Sequence, residues 1–278
     1  MKYKTKSTIL SLFDYLPSQA FYLLTKYILK SGVVNFSAGI PEVWHFVESA
    51  VRNIRAESLV EFGAGRHLGL NLLLSRTVNA QTIVDIDAMI DIDLVQQTFE
   101  EIRQKETGFL QKSINSIDDL ESNFGISYKA PINLTDLPVE EKYDASISIS
   151  TWEHIPVNLI PTLLNKLHEI IKPGGHLIAH IDYSDHYAHS DPAIDRLHFL
   201  SFTENDWQRF NHHHLFQNRL RHSQYFDLFT QHGFRVIESN ASNFVQYPLK
   251  QPLAENLTGF DTDYATTGRW ILINDGFD

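Results

Sequence analysis

From residue 9 to about 54, apolar side chains recur three and four apart (Leu12, Phe13, Leu16; Phe21, Leu24, Ile28; Val43, Phe46, Val47), with breaks at Pro17, Gly32, Gly39 and Pro41. That is the period of helices with one buried face, and it predicts two or three of them ahead of any strand. Short apolar runs follow at 58–62, 81–86, around 126–128, 145–150 and 176–181, and helical patterns separate most of them. Strands alternating with helices predict a parallel sheet covered on both faces. After His180-Ile181-Asp182 the pattern lapses into a polar and aromatic stretch, 183–221, before a helix over 222–231, a strand over 234–239 and a closing apolar strand over 268–274. An insertion of that size is usually a lid or a binding loop. The expected fold class is α/β: seven strands, mostly parallel with an antiparallel last hairpin, an N-terminal helical cap over 1–55 and a helical insertion after strand five.

The first chemistry-bearing stretch is Leu59-Val60-Glu61-Phe62-Gly63-Ala64-Gly65, an acidic-ended apolar strand that runs into a glycine turn. Such a turn lets backbone N–H groups approach a nucleotide at a helix start. Twenty residues after Gly65 a second apolar run, Thr82-Ile83-Val84-Asp85, ends in a carboxylate. One strand-helix-strand unit separates the two, which places an acid on a ribose.

Composition removes several classes. At 278 residues and 43% hydrophobic the chain can bury a full core. Lys2, Lys4 and Lys6 precede an apolar stretch, but Asp14, Pro17, Lys26 and Lys30 interrupt it short of the ~20 residues that span a bilayer. No signal peptide or membrane span is expected. A net charge of −11 argues against nucleic acid as a partner. With no cysteine there are no thiolate nucleophiles, zinc-thiolate sites or disulfides, and a cytoplasmic location fits.

Further along run Leu137-Pro138, then Tyr143-Asp144 into a fourth strand, then Ser150-Thr151-Trp152-Glu153-His154-Ile155-Pro156, and finally Lys172-Pro173-Gly174-Gly175 into a fifth strand. With the glycine loop and Val84-Asp85-Ile86-Asp87, this order resembles the class I S-adenosylmethionine-dependent methyltransferases over about residues 56–182. The resemblance implies a Rossmann-like fold, a methyltransferase domain over 56–278 with its insertion at about 183–221, and S-adenosylmethionine as cofactor. It places Glu61, Gly63, Ala64 and Gly65 at the cofactor, with Asp85 on the ribose, Asp87 as the alternative acid, and Ile86 beside them. Counting back from Leu137-Pro138 puts Asn133 where the family often carries an adenine-binding Asp, followed by Leu134; Ser150 borders the cofactor from the fourth strand. The family's third glycine is His67 here. Lys172-Pro173-Gly174-Gly175 reads as a helix stop and turn without chemistry.

The acceptor is narrowed by what is missing. There is no Asn/Asp-Pro-Pro-Tyr run after strand four, the usual signature of amide and nucleobase amine acceptors in this superfamily. A small-molecule acceptor, most plausibly a hydroxyl, fits better. Hydroxyls gain most from a positioned base, and nine of the fourteen histidines lie between 180 and 232. His154 and His186 are the leading bases, with Glu153 beside them. Asp182, Asp185 and His186 form a possible metal set that a solvated turn explains as cheaply, so no metal is expected. His212-His213-His214 reads as an exposed loop or helix start. The insertion's Arg196-Leu197-His198-Phe199-Leu200, Trp207 and Asn218-Arg219-Leu220-Arg221 are similar to methyltransferases of glycan and polysaccharide clusters, which implies a carbohydrate-like acceptor. Equally, Trp207, Phe210 and Phe216 pack the lid onto the sheet. Two other readings remain: a catalytically silent S-adenosylmethionine-binding module, and an NAD-dependent oxidoreductase, which lacks its Tyr-x-x-x-Lys pair near the expected position.

Overall fold

The computed structural model describes residues 1–28, 36, 39–109, 111–242, 252–254 and 263–276; the expected helix break at Gly32 lies outside them. Seven strands, β1 (Ser58–Phe62), β2 (Ala80–Val84), β3 (Ile126–Lys129), β4 (Tyr143–Ile149), β5 (Ile171–Asp182), β6 (Phe234–Ser242) and β7 (Thr267–Asn274), form one sheet. Their spatial order is β3-β2-β1-β4-β5-β7-β6. The first five are parallel, and β7 runs antiparallel between β5 and β6, as the expected last hairpin requires. The order reverses between β1 and β4, which opens a crevice beyond their C-terminal ends.

Nine helices lie among the described residues: α1 (Tyr3–Phe13), α2 (Ser18–Ile28), α3 (Glu42–Ile54), α4 (Gly69–Leu74), α5 (Ile92–Lys105), α6 (Ile117–Phe124), α7 (Ile160–Ile170), α8 (Glu204–Trp207) and α9 (His222–Gln231). Their apolar faces cover both sides of the sheet, so β1 is buried without alternation at Leu59, Val60, Glu61 and Phe62. Leu59 and Ile147 pack with Val47 and Val51 of α3, the leucines of α4 and Phe99 of α5. On the other face Val60 and Phe62 meet Leu164 and Leu167 of α7 and Tyr225 and Phe229 of α9.

A third core lies in the insertion. Leu10 of α1 joins Tyr187, Ile194, Leu197, Phe199, Leu200 and Trp207, and Phe21 of α2 packs against them. Of the N-terminal helices, α3 is thus built into the sheet core while α1 and α2 cover the insertion. None of the described helices is long and apolar enough to cross a membrane.

β5 is longer than expected. It starts at Ile171 and carries Lys172-Pro173-Gly174-Gly175 as a bulge, because its pairing jumps from Tyr143↔Ile171 to Ala145↔His176. α7 ends at Ile170 just before it, as the expected helix stop requires, and a Cβ on Gly175 would lie 2.8 Å from the Asp144 carbonyl, so glycine permits the close passage into the paired strand.

Candidate active site

At the end of β1 the chain turns through Gly63 and Gly65, whose φ values are +73° and +77°. An L side chain pays about 1–2 kcal/mol there. A Cβ on Gly63 would in addition stand 2.5 Å from Thr151 Cγ2, whereas Gly65 faces open space. Gly63 therefore lets β1 approach the exit of β4, and Thr151 Oγ1 donates to the Gly63 carbonyl at 3.3 Å. Ala64 is half-buried against the sheet core. His67 stands in the third glycine position, and its Nδ1 accepts from the Gly69 amide at 3.0 Å. The tight packing moves to Gly69, where a Cβ would fall 2.1 Å from the Trp44 ring.

Two buried acids follow. Glu61 accepts from Asn71 Nδ2 at 2.6 Å, and burial pushes its carboxyl up to about 8, with the nearby Asp85 adding to the rise. Asp85, just past β2, is pushed up to about 6, mainly by burial; hydrogen bonds from Tyr128 and the Gly63 amide and the charge of Arg66 pull the other way. Its Oδ2 is buried with no hydrogen-bond partner. The adjoining Ile86 is 72% exposed. An orphaned acceptor, an uncovered apolar side chain and a glycine turn fit the ribose, adenine and tail of an adenosyl group. Asn133 is exposed, with its Oδ1 accepting the Thr135 amide at 3.1 Å, and Leu134 is buried beneath it.

Helix α2 closes this side, which the sequence did not reveal. Gln19 Nε2 donates to the Ala88 carbonyl at 3.1 Å, and Tyr22 donates to Asp91 Oδ2 at 2.5 Å. The Arg66 guanidinium lies 3.5 Å from the Tyr22 ring centre.

The other half of the crevice begins at Ser150, a non-glycine residue at φ 52°, where strain marks the end of β4. Its amide donates to the His180 carbonyl at 2.8 Å, and its hydroxyl lies 3.4 Å from His180 Nδ1. A 3-10 turn, Trp152–His154, follows. Glu153 is 3% exposed. One of its oxygens accepts the Asp182 amide at 3.4 Å, the other has no partner, and burial holds its pKa well above the usual carboxylate range. The His154 Nδ1 is 2.6 Å from the Phe216 carbonyl, so that nitrogen carries the proton and Nε2 keeps its lone pair. Solvent reaches this ring through the crevice, yet the protein walls around it lower its pKa.

The His154 and His186 ring centres are 5.0 Å apart. Asp182 Oδ2 lies 3.4 Å from His186 Nε2 and 3.5 Å from His189 Nε2. Burial opposes ionisation of Asp182, but the two imidazoles and the Ser184 hydroxyl outweigh it and hold its pKa below the usual range. Asp185 is not with them. It is 1% exposed, caps the Tyr187 amide at 2.7 Å and is pushed up to about 7 by burial. Of the Asp182, Asp185 and His186 weighed together from the sequence, Asp185 stands apart, and His189 lies beside Asp182 and His186 instead.

Other residues proved structural. Arg221 is fully buried and donates to the carbonyls of Tyr183, Asp263 and Ala265. Arg219 binds the carbonyls of Phe199 and Phe202, and Trp207 sits in the insertion core. Only His213 of the triple-histidine run is exposed; His212 pairs with Asp14 at 2.7 Å, and His214 stacks on Phe21. A cavity of about 420 Å³ lined by Glu42, His45, Arg269 and neighbours contains none of the expected site residues.

The comparisons agree with this geometry. A family model described as "Methyltransferase domain" matches residues 36–239. Magnesium protoporphyrin IX methyltransferase from Synechocystis PCC 6803, solved with S-adenosylhomocysteine, is 15% identical with a TM-score of 0.51, over 96% of this chain and 99% of that one. The 1,6-didemethyltoxoflavin-N1-methyltransferase of Burkholderia thailandensis is 12% identical with a TM-score of 0.53, over 92% and 86%. An S-adenosylmethionine-dependent methyltransferase from Clostridium acetobutylicum is 8% identical with a TM-score of 0.51, over 93% and 99%. No curated protein sequence matches the chain. With the family model spanning most of the chain, and the sheet order and nucleoside cleft in agreement with it, this protein belongs to the class I S-adenosylmethionine-dependent methyltransferases.

Proposed function

We propose that the protein methylates a hydroxyl of a small, carbohydrate-like acceptor. The observation that carries this reading is His154, whose Nδ1 is spent on the Phe216 carbonyl so that Nε2 offers a lone pair to the crevice. A hydroxyl is a weak nucleophile until a base takes its proton, and a positioned imidazole contributes about 10²–10⁴-fold. Around it stand Ser150, His180, Asp182, His186 and His189, a polar wall suited to several hydroxyls. The carbohydrate reading rests on that wall, since Trp207, Arg219 and Arg221 are used inside the fold.

On this reading Glu61, Gly63, Ala64, Gly65, Asp85, Ile86, Asn133, Leu134 and Ser150 form the cofactor side. S-adenosylmethionine supplies a sulfonium methyl: the acceptor oxygen bonds to its carbon as the carbon–sulfur bond breaks, and that electron pair returns to sulfur. His154, or His186 5.0 Å away, takes the hydroxyl proton. Glu153 borders the acceptor, and α2 helps exclude water.

The test is a screen of sugars, nucleotide sugars and simple polyols with isotope-labelled S-adenosylmethionine, reading the methyl shift of each product by NMR. An O-methyl signal that disappears in His154→Ala supports the reading. Methyl found only on nitrogen sinks it.

A further inference from the structure

The turn after β4 and the start of the insertion bring five metal-ligating side chains together. Glu153, His154 and His186 each offer one donor atom within 4.8 Å of the other two, and Asp182, His186 and His189 do the same. Three donors so spaced lie at most about 2.8 Å from a common centre, so shifts under about 1 Å reach the 2.0–2.2 Å bonds of a nitrogen- and oxygen-ligated ion.

Three features separate the first trio from a chance cluster. Glu153 is 3% exposed, yet its Oε2 has no partner; an orphaned buried oxygen is costly unless something binds it. His154 has its Nδ1 fixed by the Phe216 carbonyl at 2.6 Å, which is how a ligating histidine is aimed by its surroundings. His186 Nε2 has no hydrogen-bond partner, and its 3.4 Å separation from Asp182 Oδ2 is long for a charge-assisted hydrogen bond. Two donors bound to one tetrahedral ion at about 2.1 Å stand about 3.4 Å apart. Within the trio that spacing ties Asp182 to His186 alone: Asp182 groups with His186 and His189 and not with Glu153 and His154, so the trio's fourth position stays open.

We propose that Glu153, His154 and His186 bind a divalent first-row transition-metal ion at the acceptor end of the crevice, with the fourth position open to the acceptor. Paired imidazoles favour zinc, iron, copper or nickel over magnesium and calcium. The role of the ion rests on the hydroxyl-acceptor reading above, but with the ion bound His154 and His186 are ligands rather than bases. It binds the acceptor oxygen and lowers its pKa; the proton passes to the exposed His189 and on to solvent, since the ligating imidazoles have no lone pair left to take it. The oxygen then attacks the methyl carbon, and the carbon–sulfur pair returns to sulfur.

The test is titration of the untagged, chelator-stripped full chain with cobalt(II) and zinc(II), with and without S-adenosylhomocysteine, read by calorimetry and by the visible spectrum of cobalt. One ion per chain is expected. His154→Ala and Glu153→Gln weaken binding by about 10–100-fold, and His189→Ala by less than about threefold. If the buried Glu153→Gln change unfolds the protein by circular dichroism, His154→Ala at its exposed ring carries the test. The proposal is overturned if folded wild type binds no ion, if His154→Ala leaves binding intact, or if His189→Ala costs more than His154→Ala. Hydroxyl methylation that survives chelation removes the ion and leaves O-methylation standing, whereas a bound ion with methyl transferred only to nitrogen does the reverse.

Discussion

Asn218 donates its side-chain amide to the Trp152 carbonyl at 2.8 Å and so joins the insertion to the turn that carries Glu153 and His154. The same amide reaches the Ile155 carbonyl at 2.9 Å, and the Asn218 backbone amide donates to the Glu153 carbonyl at 2.8 Å. Both ends of the turn are thus held by one residue. Asn218→Ala removes these side-chain bonds, at about 0.5–1.5 kcal/mol each, while the Ile155 amide still donates to the Trp152 carbonyl. We expect kcat to fall at least about tenfold while S-adenosylmethionine affinity stays within about twofold. Calorimetric affinity beside steady-state kinetics reads the two separately; an equal loss in both contradicts a positioning role.

Asp85 as ribose acceptor predicts a pH dependence of cofactor binding. Its carboxyl titrates near 6, and the ionised form accepts hydroxyl hydrogen bonds worth about 1.5–3 kcal/mol. Affinity is then full above that pH and declines as pH falls through it. Asp85→Asn should weaken binding by about 10–100-fold at pH 8 and flatten the profile. A wild-type profile that is flat from pH 5 to 8, measured by calorimetry, removes Asp85 from the site.

Glu61 predicts the opposite kind of linkage. Its folded pKa, about 8, lies well above the 4.5 of an ordinary glutamate. The folded state keeps a proton that the unfolded state releases, so the contribution is full below the unfolded value and is lost as pH rises through about 8. In cofactor-free protein, Glu61→Gln should raise Tm at pH 9 and leave it unchanged at pH 4.5. A shift of equal size at both values shows that ionisation is not its cause.

The two loop glycines should respond unequally to alanine. Gly65→Ala meets only the left-handed backbone cost, about 1–2 kcal/mol. Gly63→Ala meets that cost and the Thr151 side chain. Adding Thr151→Ala should recover part of the extra loss, a coupling that a double-mutant cycle in urea detects. Additive losses argue against the contact.

The strands were legible because β1, β2, β4 and β5 each hold a short, largely buried cluster of apolar residues set between helical patterns. The place of β7 between β5 and β6 was not, since strand order depends on long-range pairing that local pattern does not encode. Of the candidate site residues, Glu61, Asp85, His154 and His186 could be named from the sequence by type and by position at or near strand ends. His189 was readable three residues after His186 but was passed over for Asp185, whose burial in the insertion core no local signal betrays. Arg219 and Arg221 misled for a general reason. A charged residue reads as exposed, yet an insertion with little regular structure leaves backbone carbonyls that a guanidinium can satisfy.

The docking of α1 on the insertion has a consequence for synthesis. Lys6 reaches the His186 carbonyl across 180 residues of chain, and Ser7 reaches His212 across 205. At about 5–20 residues per second, α1 leaves the ribosome roughly ten to forty seconds before its partner surface has been made. Leu10 has no native shelter in that interval. A domain whose first helix must wait for its last third therefore offers chaperones an early target, and slow translation of the sheet prolongs the exposure.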